Sequence, residues 1–142
     1  MLEAPTHADA SALCVEVFGQ GVTQQAYALR TKILEVDGWI DRTNMRVVEV
    51  HPEVSFATLA GEVLPEAKST WAGFHLRRQL LADAGIHLDG DLGLAGRRVG
   101  VDDVHDAAIV AWSAERVLRG EAFSLPDPPQ LLEDGRLAAI WS

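Results

Sequence analysis

At 142 residues, with 48% apolar and 23% charged residues, the chain has room for one globular domain with its own core. Its formal net charge of −9 weighs against a general electrostatic affinity for nucleic acid, which rests on lysine and arginine neutralising phosphates, without deciding the matter. Nucleic acid remains a compatible substrate only where carboxylates hold metal ions that carry positive charge to the phosphate. The basic groups Lys68, Arg77, Arg78, Arg97 and Arg98 are too scattered to form a stripe. No apolar run approaches the roughly 18 residues of a membrane span, and the N-terminus has neither a basic nor an apolar leader region, so the expectation is a soluble protein of the cytoplasm. Cys14, the single cysteine, can form neither an internal disulfide nor a paired-thiolate zinc site.

In chain order, Ala8 to Val17 predicts a short helix stopped by Gly19-Gln20-Gly21. Gly-x-Gly before a helix can cradle a phosphate, but with no third glycine and no following Lys-Ser/Thr a plain turn is the better reading. Thr23 caps a longer helix to about Ile40, with Ala26, Leu29, Ile33, Val36 and Ile40 as its apolar stripe. Arg46 to Val50 reads as a strand running into a helix, with Pro52 at the first helical position and Gly61 at the end. Along that strand Val48 and Val50 share one face, and Val47, Glu49 and His51 share the other. Glu49 and His51 therefore stand at its carboxyl end, the usual place for chemistry in open α/β sheets. The plainer reading is a solvated glutamate and a histidine at a helix start. Glu53 lies in the first turn, where the helix dipole favours an anion.

Ser69 or Thr70 opens a helix to about Ala84, with Trp71, Phe74, Leu76, Leu80 and Leu81 inward, Arg77, Arg78 and Gln79 outward, and Gly85 as its stop. Residues 85–100 carry five of the twelve glycines and predict a surface loop. Asp89-Gly90-Asp91 resembles a calcium loop, but an EF-hand would need a glutamate where Gly100 stands. Asp102 or Asp103 opens a helix to about Arg119, with Val104, Ala107, Ala108, Ala111, Ala114 and Leu118 as its apolar stripe. An extended PDPP run follows Leu125, and Leu137 to Trp141 is a candidate last strand. No second domain is visible.

Asp103 and Asp106, three apart, project from one side of a helix start, and with Glu49 they would form a carboxylate cluster suited to Mg²⁺. Helix-capping aspartates are the competing explanation. No GxSxG elbow, HExxH pair or Walker loop is present, and the five histidines show no zinc spacing.

The segments VVEVHPEVSFATLAG, KSTWAGFHLRRQLL, DDVHDAAIVAWSAERVLRGEA, LPDPP and LAAIWS, with the upstream GQGVTQQAYALRTKILEVD, resemble domain-of-unknown-function family 429. That family is described as predicted nucleases of RNase H-like fold. The Asp103-x-x-Asp106-Ala107 pattern is also similar to the last acidic motif of bacterial Holliday-junction resolvases. The resemblance implies an α/β, RNase H-like fold and divalent-metal-dependent phosphodiester hydrolysis with Mg²⁺ or Mn²⁺. It implies Glu49, Asp103 and Asp106 as catalytic metal ligands, His51 and Glu53 as neighbours, and Lys68 and His51 as substrate contacts.

Members of the family usually open with a Val-Asp-Gly strand and an Ile-Asp-x-Pro-x-Gly-Leu segment, and neither precedes Ala4 here. The expectation is therefore a C-terminal portion, predominantly helical, weak or inactive in metal-dependent cleavage. It would self-associate, or need a partner supplying strands, because apolar faces around Ile33 and Ala111 would be uncovered. The alternative is a non-catalytic interaction or scaffold module. A phosphotransferase of the related actin-like fold lacks a phosphate loop.

Overall fold

Local capping chemistry sets most helix ends. In the computed structural model, which describes residues 2–93, 98–133 and 135–142, Thr6 accepts from the Asp9 amide at the start of α1 (His7–Phe18). Gly19 closes α1 in the left-handed conformation that glycine adopts without a Cβ clash. Thr23 accepts from the Ala26 amide at 3.1 Å and opens α2 (Gln24–Ala28), followed after Leu29 by α3 (Arg30–Ile40). The single helix expected from Thr23 to Ile40 is thus two segments. Its expected apolar stripe is largely uncovered, with Leu29, Ile33 and Val36 at 57%, 44% and 49% exposure. The chain divides into two compact units, residues 1–47 and 48–142.

In the first unit, the Tyr27 hydroxyl donates to the Ala4 carbonyl, and a His7 ring nitrogen bonds the Val22 carbonyl at 2.8 Å. The second unit holds the core. Helix α4 (Pro52–Ala60) begins on Pro52 and ends on left-handed Gly61; α5 (Trp71–Asp83) is capped by the Thr70 hydroxyl; α6 (Val101–Arg119) ends on left-handed Gly120. These three helices pack on one another around Phe56, Leu81, Ala108 and Ile109. Where α4 meets α6, the fully buried hydroxyls of Ser113 and Ser55 bond at 2.7 Å.

Three expectations need correction here. Arg46 to Val50 is not a regular strand: its one bridge among the described residues is Glu49 with Ile140, parallel, through the Trp141 amide and the Glu49 carbonyl at 2.8 Å. A β ladder needs a partner along its length, and the neighbouring β2 (Leu137–Trp141) is itself paired antiparallel with β1 (Ser124–Leu131). Arg77 points inward and is 1% exposed, while Trp71 is 75% exposed. On α6 the buried face is His105, Ala108, Ile109, Ser113 and Val117, so the expected stripe is rotated. Ala107, Ala111 and Ala114 face solvent, and Leu118 is 87% exposed.

The β1–β2 register breaks between Leu125 and Gln130, where Pro126, Pro128 and Pro129 offer no amide hydrogen to the ladder. Arg97 lies outside the described residues.

Candidate functional site

The N-terminal turns of α4 and α6, the Glu66–Lys68 loop and the inner side of α5 supply a set of linked charged groups. Its fixed member is Arg77. The guanidinium donates to both Glu53 oxygens, at 2.6 and 3.2 Å, and to the Glu66 and Gly73 carbonyls, each at 3.0 Å. Its Cζ lies 5.5 Å from the centre of the Phe56 ring. A buried guanidinium requires such partners because its charge has left water. Glu53 remains 40% exposed, so this pair is open to solvent on one side.

Lys68, at the loop's end, donates to Asp106 Oδ2 at 2.7 Å. The ammonium's pKa is raised, first by that hydrogen bond and then, against the opposing effect of burial, by the charges of Asp106, Asp102 and Glu53. The other carboxylate oxygen, Asp106 Oδ1, is buried and has no hydrogen-bond partner among the described residues. An ionised carboxylate can accept about four hydrogen bonds, so Asp106 is under-used.

His105, next in sequence, is 4% exposed and stacks on Phe74 at 4.8 Å. Burial first, and the Arg77 charge second, hold its pKa below the ordinary value of about 6.5. Folding therefore favours the neutral ring. That contribution is present above pH about 6.5 and is lost as pH falls through the lowered folded value. Urea unfolding between pH 7.5 and 5 is expected to show this loss, and His105→Gln is expected to flatten it; an unchanged slope in the variant would remove His105 as its source.

The residues expected to act together are divided. Asp106 is in the charged network. Asp103 caps its own helix, its Oδ2 accepting from the Gly100 amide at 3.1 Å. Glu49 and His51 are exposed, Glu49 on the lone bridge and His51 at the N-cap of α4. Among the described residues, no three aspartate, glutamate, histidine or cysteine side chains form a group that could hold a metal ion, so Glu49, Asp103 and Asp106 are not gathered as one. Lys68, expected to face a phosphate, is engaged with Asp106 instead. Sequence reasoning missed Arg77 as the organiser. Its signal was Gly73, an interior helix glycine of the kind that marks close backbone approach: a Cβ there would overlap the Ala67 carbonyl oxygen.

Fold and site together define a mixed α/β protein, about half helical with a two-stranded sheet, whose charged network joins three helices. Residues 1–131 match the family described as "Protein of unknown function (DUF429)", and the chain belongs to that family. The closing LAAIWS segment lies beyond the matched residues. No curated protein and no solved structure gives a significant match. No helix among the described residues is long and apolar enough to cross a membrane.

Proposed function

We propose that this chain carries the Asp106 part of a divalent-metal-dependent nuclease site on an RNase H-like framework, acting on phosphodiester bonds of nucleic acid. The observation that carries the reading is Asp106 itself, with one oxygen on an ammonium and the other buried without a hydrogen-bond partner among the described residues. Both features fit a cation ligand: the ammonium is a stand-in charge, and the unused oxygen is a vacant donor. Mg²⁺ is commonly held by only one or two carboxylates, with water and substrate phosphate in the remaining positions, so a group of three is not required. Asp106 would hold Mg²⁺ or Mn²⁺, with Asp102 and Glu53 adding negative charge nearby. When bound, such an ion supplies Lewis-acid stabilisation to the phosphoryl oxygens and a more acidic water. The chain's own part is to orient Asp106 from the first turns of α6, to fix Glu53 through Arg77, and to offer Lys68 to a phosphate.

The test is cleavage of labelled single- and double-stranded DNA and RNA, with protein in excess, in Mn²⁺ and in EDTA. Slow, Mn²⁺-dependent cleavage that disappears in Asp106→Asn is expected. Cleavage that survives this substitution would overturn the reading.

A second reading, an interaction module, is favoured by the uncovered face of α6. Ala107, Ala111, Ala114 and Leu118 recur at spacings of three and four and remain exposed, the pattern of a helix that packs closely on another surface. Light scattering on the same preparation separates the cases. A second copy covering this face would give a dimer, whereas a monodisperse 15.4 kDa monomer would remove self-association.

A further inference from the structure

The two cations of the charged network differ in their freedom to leave. Arg77 is 2% exposed at its side chain and is tied to Glu53 and two backbone carbonyls. Lys68 is 39% exposed, sits on a loop, and among the described residues is held at its ammonium by one hydrogen bond, to Asp106 Oδ2. A lysine head on a four-carbon stem can swing into water at low cost, whereas a forked, buried guanidinium cannot. Asp106 would then be left with one oxygen newly free and the other, Oδ1, already without a partner among the described residues. Asp102 and Glu53, both close enough to raise the Lys68 pKa by their charges, would remain beside the departed ammonium.

We propose that Lys68 is a resident counter-cation: its ammonium occupies the Asp106 carboxylate in the unloaded protein and must be displaced before a divalent cation can bind there. This inference rests on the reading of Asp106 as a cation ligand. The exchange is balanced in kind, one ammonium leaving a carboxylate as one hydrated divalent ion arrives, and Lys68 becomes free to meet an anion. Arg77 stays in place and keeps Glu53 oriented throughout.

Mn²⁺ binding followed by loss of the free-ion electron paramagnetic resonance signal tests this without recourse to activity. Wild type, Lys68→Met and Lys68→Arg are titrated, each with and without Asp106→Asn, and Lys68→Gln serves as a second neutral variant should Lys68→Met fold poorly. Neutral residues at position 68 are expected to tighten Asp106-dependent Mn²⁺ binding about tenfold, a step between the effects of exposed and buried ion pairs. Lys68→Arg is expected to bind no more tightly than wild type. If both neutral variants bind as wild type does while Asp106→Asn still abolishes binding, displacement is wrong and the ligand reading stands. If Asp106→Asn changes nothing in any background, or the neutral variants bind no Mn²⁺, the ligand reading falls and the counter-cation role with it.

Discussion

Replacing Arg77 with alanine is expected to lower the unfolding free energy by about 3 kcal/mol, the lower end of the range for breaking a buried ion pair. Three losses combine. The Glu66 and Gly73 carbonyls lose their guanidinium donor, Glu53 loses a two-point partner, and the Phe56 ring loses the guanidinium packed above it. Water can reach Glu53, which is 40% exposed, and this holds the cost below that of a fully enclosed charge. Arg77→Lys is expected to recover less than half, because an ammonium cannot reproduce a planar fork directed at two carboxylate oxygens. Urea unfolding monitored by circular dichroism checks both, and a change under about 1 kcal/mol for Arg77→Ala would show that the network contributes little to folding.

Gly73→Ala is expected to destabilise by about 2–3 kcal/mol, although alanine is the better helix former by about 1 kcal/mol. The added methyl would overlap the Ala67 carbonyl oxygen and approach Arg77 Nη1 to 3.1 Å. That carbonyl cannot simply retreat, since it accepts from both the amide and the hydroxyl of Thr70, at 3.0 and 2.8 Å. Gly38→Ala in α3 is the matched control. Nothing lies within 4 Å of its added methyl, so helix propensity should act alone and raise stability by about 0.5–1 kcal/mol. Equal effects at the two positions would refute the close-approach account.

What was legible in the sequence follows from the range of the interactions concerned. The caps at Thr23 and Thr70, the stops at Gly19 and Gly61, and the first helical position at Pro52 depend on neighbours within a few residues, and the structure shows each in that role. The Arg46–Val50 strand had the right composition but depends on backbone partners elsewhere in the chain, and β composition does not supply a partner. On α6 two apolar stripes coexist. Periodicity selected the alanine-rich one, while the core took the one bearing Ile109 and Val117, with Ile109 filling the space against Phe56 and Leu81.

The candidate site divided along the same line. Asp106 and Lys68 were identified from the sequence, but their mutual contact spans 38 residues and could not be read from spacing. Arg77 was read as outward because charge normally marks the solvent face. Its buried position depends on Glu53, 24 residues earlier, arriving beside it through the packing of α4 on α5.

The hydroxyl pair between Ser55 and Ser113 acts as an index mark between two helices. Apolar side chains alone would tolerate α4 sliding along α6, since one methyl-lined groove resembles the next. A shift of one turn, about 5.4 Å, would separate the two hydroxyls inside an apolar layer and leave both without partners. The core thus admits one alignment of α4 on α6. Because Glu53 and Asp106 lie on those same two helices, the alignment also fixes the spacing between the anchor of Arg77 and the anchor of Lys68.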